Sequence, residues 1–367
     1  MFQLQTDSVN SGYLQILQEI LKNGKTYAPR GKKTREIRHL SWQITNPRKR
    51  HCQVLGRWEN MGFSLMEGLW ILCGSEDVAP LSYFTPHIKE FSDNGITFNA
   101  PYGHRLRRYP PYTIDQLEYC YRTLKADPDS RQAVMTIWHP YKDEQETRDH
   151  PCTNWLHFLI RDNKLDFTVQ MRGNDLLWGT PYNVFNFMLI QEVMAGWLGI
   201  ELGTYTHQVN SMHFYEDKMD VVARIMGSRE YNIDPYYSPS MIWDARCPKE
   251  QFDVFEKEMR ELINHIGTEH FDYAVCNVSI PNEYWKNYTE AIVARKFINE
   301  EVYDVALDIT NDMLDSEFKL SLYRSLFRKN KILREELLDM YPESLVDFLC
   351  EDPKVINERA KQWLAKQ

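Results

Sequence analysis

The stretch His150-Pro-Cys-Thr-Asn-Trp-Leu-His-Phe-Leu-Ile160, Arg161-Asp-Asn-Lys164, Leu165-Asp-Phe-Thr-Val-Gln-Met171, Arg172-Gly-Asn-Asp175 decides the fold. Two runs rich in aromatic and β-branched residues flank Asp162-Asn163, a pair whose short polar side chains tolerate left-handed backbone, so the segment reads as a β-hairpin with strands over 150–160 and 165–171. Closing that turn pairs residues whose numbers sum to about 325, which brings Cys152 beside Arg172 and Gly173. A thiol and a guanidinium become neighbours. An adjacent arginine lowers a thiol's pKa from its ordinary value of about 8.5 and supplies thiolate, so Cys152 is the candidate nucleophile, against the alternative of an inert buried thiol. Cys52, Cys73, Cys120, Cys247, Cys276 and Cys350 have no such neighbour and read as structural.

Downstream, Val184 to Leu198 is apolar on most sides and ends at Gly199, which predicts a helix buried against a sheet. Asn183 immediately precedes it and reads either as its N-cap or as an amide at a pocket edge that pairs with a uracil N3–H and O4. His213 and Tyr215, two apart, share one face of an extended segment and reach a sugar hydroxyl together, or are ordinary surface aromatics. Beyond 248 the chain turns to charged, amphipathic segments over 252–266, 288–297, 302–327 and 332–349, broken at Pro281, Pro342 and Pro353. These predict an α-helical extension over 249–367 following a catalytic part over 1–248.

Upstream, Val9, Tyr13, Ile16, Leu17 and Ile20 recur at helical spacing after Asp7 or Ser8 as a cap, with Gly24 past the end. The basic run 28–38 follows and reads as a solvated loop or as an arm that grips phosphate. Glu67 is a lone carboxylate in Met66-Glu-Gly-Leu-Trp-Ile-Leu72, where burial would raise its pKa into the range useful for proton transfer.

Composition limits the functions open to the chain. Its 367 residues, 43% hydrophobic and 26% charged, supply a packed core for one large domain or two ordinary ones. A formal charge of −9 disfavours general affinity for nucleic acid or anionic membrane. Seven cysteines without close spacing suit reduced thiols in a cytoplasm, and no leader or membrane-spanning run is read. There is no CxxC pair, HExxH string, Walker loop or GxGxxG, so no metal site and no P-loop or dinucleotide fold is expected.

Taken in order, Asp127-Pro-Asp-Ser-Arg131, Pro151-Cys152, Arg172-Gly-Asn-Asp175, Trp178-Gly-Thr-Pro-Tyr-Asn183 and His213-Phe-Tyr215 resemble thymidylate synthase and its relative deoxycytidylate hydroxymethylase, from about Asn10 to about Arg246. The resemblance implies an α/β (α+β) fold on a twisted mixed sheet and a homodimer joined through sheet faces. It implies a reaction in which Cys152 adds to C6 of a uracil nucleotide, dUMP foremost, and C5 takes the one-carbon unit of 5,10-methylenetetrahydrofolate. Glu67 resembles the carboxylate that organises proton transfers and Tyr102 the tyrosine of the associated water network. Arg172 and Arg30 resemble phosphate ligands, Arg131 the arginine lent across the dimer, Asp175 the folate anchor, and Asn183, His213 and Tyr215 the readers of base and sugar.

The departures are specific. Gln132 and Gly173 stand where the family usually has Arg and Ser, which removes a charge and a hydroxyl from the phosphate end. Cys152-Thr153-Asn154 is closer to the hydroxymethylase pattern, Pro86-His-Ile-Lys-Glu-Phe91 replaces a tryptophan-bearing region, and helices stand where synthases have an apolar closing tail. Incomplete closure admits water to the exocyclic methylene intermediate, so hydroxymethylation is expected ahead of reductive methylation to dTMP. The alternative of another class is a catalytically idle nucleotide-binding relative whose helical extension docks a partner.

Overall fold

The computed structural model describes residues 1–234, 236, 238, 241 and 243–366. Eight strands form one mixed sheet: β1 (Phe2–Thr6), β2 (Lys25–Tyr27), β3 (Thr34–Ile44), β4 (Val134–Thr136), β5 (Thr153–Arg161), β6 (Lys164–Met171), β7 (Asn174–Asp175) and β8 (Glu201–Tyr215). The central order is β1-β3-β8-β6-β5-β4, with β2 on β3 and β7 on β8. β1 runs parallel to β3 and β6 to β8, while the β3–β8, β5–β6 and β4–β5 pairs are antiparallel.

The hairpin closes as its sequence dictates. Arg161 faces Lys164, Trp155 faces Gln170, and both Asp162 (φ 52°) and Asn163 (φ 56°) take left-handed backbone at the turn. A register shift between Thr153 and Trp155 moves the pairing by one, and the Arg172 N–H donates to the Cys152 carbonyl at 2.9 Å. β5 starts at Thr153 rather than at 150, because Pro151 has no N–H for a ladder and the next two N–H groups go to a side chain described below.

The helices are α1 (Val9–Asn23), α2 (Met61–Leu72), α3 (Ala79–Phe84), α4 (Tyr102–Arg107), α5 (Gln116–Ala126), α6 (Pro140–Asp143), α7 (Thr180–Leu198) and α8 (Met219–Gly227). After them come α9 (Lys249–Leu262), α10 (Glu269–Val275), α11 (Glu283–Asn299), α12 (Tyr303–Asp312), α13 (Glu317–Arg328), α14 (Arg334–Leu338), α15 (Glu343–Leu349) and α16 (Pro353–Leu364). α1 is capped by Ser8, whose Oγ accepts the Ser11 N–H, and packs on β1 and β3. A Cβ at Gly12 would sit 2.3 Å from the Trp42 indole, so only glycine permits that approach.

α7 packs on β6 and β8, α2 packs on α7, α11 on α2, and α13 on α11. That layering explains why α2 and α7 are apolar all round: each has protein on two sides. α7 begins at Thr180 with Gly179 as its cap, four residues earlier than the apolar run suggests. The expected 302–327 helix is two, α12 and α13, separated where Ser316 caps the second by accepting the Lys319 N–H. The last expected segment divides at Pro342 into α14 and α15.

Residues after 248 are held to the rest by buried polar contacts as well as apolar ones. Glu192 of α7 pairs with Arg50 at 2.6 Å and Arg48 at 2.5 Å, and Arg50 also donates to the Tyr284 hydroxyl of α11 at 2.9 Å. Such a network fixes register more than it adds stability.

Candidate active site

A cavity of about 780 Å³ opens at the end of the sheet where β5, β6 and β8 meet α2, α4 and α7. Cys152, Glu67, Tyr102, Arg172, Arg30, Gly173, Asp175, Asn183, His213 and Tyr215 all line it. Arg131 and Gln132 do not: both are exposed, in the segment before β4.

Cys152 sits between Pro151 and the start of β5. Its N–H and that of Thr153 both donate to the Tyr102 hydroxyl at 3.2 Å, and the Thr153 hydroxyl donates there at 3.1 Å. Tyr102 is stacked on Phe187 of α7, ring centroids 6.2 Å apart, so one phenol fixes the backbone at Cys152. Arg172 turns its Nε to the Pro151 carbonyl at 2.9 Å and its Nη2 to the His150 carbonyl at 3.2 Å.

This geometry corrects the expectation of a ready thiolate. Burial pushes the Cys152 thiol above its ordinary pKa, and the opposing charges of Arg172 and Arg30 do not offset it. The arginine is adjacent in the ladder, but its donors brace the backbone.

Glu67 is the one carboxylate of α2. Burial raises its pKa to about 7, against the lowering effect of the Asn186 amide, which donates to Oε2 at 2.6 Å. A carboxyl poised there both gives and takes protons near neutrality. Behind it, a Cβ at Gly68 would meet the Tyr288 hydroxyl at 2.3 Å, and that hydroxyl donates to the Leu65 carbonyl at 2.7 Å. α11 thus backs the turn that carries Glu67.

Asn183 lies inside the first turn of α7, so the N-cap reading fails; its amide faces the cavity near Met171. Asp175 accepts the Leu177 N–H at 2.8 Å and that of Trp178 at 3.4 Å, and burial pushes its pKa up. Asn174 anchors this turn by accepting the Thr180 hydroxyl at 2.8 Å. Arg30 stands in left-handed backbone, φ 53°, within the basic run, which reaches the cavity at this residue.

Sequence reasoning missed Asn186, Glu36, Ser211 and Asp149, which also line the cavity. Two of them carried a signal: Asn186 is one turn beyond Asn183 on the same helix, and Ser211 is two before His213 on the same strand face. Glu36 faces His213 across the β3–β8 ladder and accepts the Ser211 hydroxyl at 2.5 Å. Asp149 accepts the Ala100 N–H at 2.7 Å and closes the loop before α4. Trp70, Ile71, Leu81, Ile88 and Phe91 form the apolar wall, and among the described residues none after Tyr215 lines the cavity.

Among the described residues no group of three His, Cys, Asp or Glu is arranged to hold a metal, and no helix is long and apolar enough to cross a membrane.

The thymidylate synthase family model matches residues 11–275. The chain is 34% identical over 363 residues to a deoxyuridylate hydroxymethyltransferase of Bacillus phage SP01, covering 86% of this chain and 91% of that protein. It is 28% identical to a deoxyuridylate hydroxymethyltransferase of Delftia phage PhiW-14, covering 80% and 87%. A putative thymidylate synthase of Methanocaldococcus jannaschii is 31% identical over 59% of this chain and 92% of its own length.

Proposed function

Because the chain belongs to the thymidylate synthase family, one-carbon transferases with a folate co-substrate, we propose that it hydroxymethylates dUMP at C5. The observation that carries this reading is that one cavity unites a cysteine, a carboxyl titrating near neutrality and an amide suited to a uracil edge, from three elements distant in sequence.

In this mechanism Arg172 and Arg30 take the phosphate, Asn183 pairs with N3–H and O4, and His213 and Tyr215 hold the sugar. Cys152 adds through Sγ to C6, its proton passing to solvent or Glu67, and the electron pair moves towards C5 and O4. C5 then bonds to the methylene carbon that 5,10-methylenetetrahydrofolate supplies. Loss of the C5 proton and departure of tetrahydrofolate leave an exocyclic methylene, water adds to it, and Cys152 is expelled. Glu67, held by Asn186, moves protons at O4 and the incoming water. Asp175 and the apolar wall hold the folate.

Water prevails over hydride in this reading because the pocket is open. Ile88 and Phe91 belong to its apolar wall, Phe91 is 56% exposed, and of the later helices α9 and α11 pack on α2 and α16 on α8, none of them lining the cavity among the described residues. Two relatives bearing the hydroxymethyltransferase name support the same product. We read residues 1–248 as the catalytic part and 249–367 as its extension, in a cytoplasmic homodimer. Trp155 and Leu159 are half-buried and alternate along β5 with the buried Leu156, Phe158 and Ile160, which suits a partner copy on that outer face, and the exposed Arg131 and Gln132 then reach the partner's phosphate site.

Mass spectrometry of the product from dUMP and 5,10-methylenetetrahydrofolate tests the reading. Hydroxymethyl product and tritium release from C5, without the absorbance rise of dihydrofolate, are expected. A stoichiometric rise with methyl product would assign a thymidylate synthase, and no tritium release from any pyrimidine nucleotide an idle relative.

A further inference from the structure

Where α11 and α13 meet the loop before α2, three arginines gather around one carboxylate that is already occupied. Glu59 is largely shielded, its side chain 9% exposed, paired with His51 and accepting the Ser321 hydroxyl at 3.0 Å. Arg295, Arg324 and Arg328 surround it closely enough to interact with its charge. None of the three makes an ion pair with a carboxylate among the described residues. Arg324 is 4% exposed, with its Nε and Nη2 buried and unpartnered, and the Nε atoms of Arg295 and Arg328 are also buried without partners. Three guanidinium groups against Glu59 and a Glu351 already paired with Arg359 leave an excess of positive charge, and a buried charged donor left without a partner is costly. Burial and the neighbouring charge of Arg328 hold Arg324 down to about 10, the strain expected of a cation short of a counter-charge.

Glu351 also acts on Arg324, but its Oε1 is already paired with Arg359 at 2.9 Å. Phe348 stacks on Arg324 with its ring 5.2 Å away, and Arg295 Nη1 donates to the Ser325 hydroxyl at 3.2 Å. Arg328 lies 4.7 Å over the ring of Trp58, which is 47% exposed, so the cluster has a side open to solvent. None of these residues lines the cavity of the candidate active site.

We propose that Arg295, Arg324 and Arg328 form a second ligand site, for a small oxyanion of the phosphate or carboxylate class, held between the helical extension and the loop that leads into α2. Forked donors on several sides match an oxyanion's lone pairs, and the ligand would bridge α11 and α13 to the helix that carries Glu67.

The test is calorimetric titration of the full chain with inorganic phosphate, and separately glutarate, at constant ionic strength and with dUMP saturating so that the nucleotide's own phosphate site is filled. Saturable binding of one of the two anions is expected, weakened tenfold or more in Arg324→Met and in Arg328→Gln. Tighter binding of phosphate assigns a phosphate-type ligand and tighter binding of glutarate a dicarboxylate, and either supports the site. Arg328 is half-buried, so Arg328→Gln carries the test if Arg324→Met fails to fold. Absence of saturable binding to the wild type, or undiminished binding in the variants, overturns the proposal.

Discussion

The side-chain amide of Asn186 donates to Glu67 Oε2 at 2.6 Å, joining α7 to α2 across the floor of the cavity. The bond favours the ionised carboxyl and opposes the burial that lifts Glu67 to about 7. Asn186→Leu removes the donor, so the Glu67 pKa rises further, and the acidic limb of the kcat/KM profile moves to higher pH by about one unit. An unmoved profile would show that Glu67 does not titrate in the rate-limiting sequence.

Glu67 also makes stability depend on pH. Its folded pKa lies above the unfolded one, so the charged form disfavours the fold; the cost begins above the unfolded value near 4.5 and is complete above about 7. Glu67→Gln is expected to exceed the wild type in stability by about 3 kcal/mol at pH 8 and to match it near pH 4. Denaturant unfolding at the two pH values checks this.

Cys152→Ala should lower turnover by at least about a thousandfold while dUMP still binds, and no 5-fluoro-dUMP adduct should appear in the mass spectrum. In the free enzyme the raised thiol pKa predicts slow alkylation by iodoacetamide at pH 7, slower still in Arg172→Gln, which loses the largest charge opposing that rise. Faster alkylation in Arg172→Gln would reverse the sign assigned to the arginine.

Asn183→Asp exchanges an amide that complements uracil for an acceptor that complements the cytosine amino group. We expect the ratio of kcat/KM for dUMP over dCMP to fall by about 10–100-fold, the size of one or two polar mismatches. Equal use of the two nucleotides by the wild type would remove this role from Asn183.

A Cβ at Gly173 would rest 3.6 Å from the Ser211 carbonyl and 3.9 Å from the His213 ring, both ordinary contacts. Gly173→Ser therefore fits, and the new hydroxyl near Arg172 should tighten dUMP binding about threefold to tenfold, roughly one hydrogen bond. Gln132→Arg should tighten it only in a dimer, since Gln132 lies outside the cavity of its own chain. Titrations of dUMP into the dimer and into a dissociated form separate the two effects.

The hairpin at Asp162-Asn163, an N-cap at Asp7 or Ser8, which the fold resolves as Ser8, and the burial of α7 were legible in the sequence, because turn chemistry, capping and hydrophobic periodicity act over a few residues. Local register even brought Cys152 to Arg172, two residues that a tight turn must align. What the hairpin could not disclose is where the Arg172 guanidinium points, since that depends on carbonyls freed by Pro151 and on a phenol from α4. Burial of the thiol, which outweighs the arginine, is a property of everything packed around it. The pairing of Asn186 with Glu67, the placement of Glu36 opposite His213 and the backing of α2 by Tyr288 join residues far apart in the chain, and no local pattern encodes them. Helix and turn are decided by neighbours along the backbone, whereas protonation and pocket composition are decided by desolvation and packing between elements, which exist only once the chain has folded.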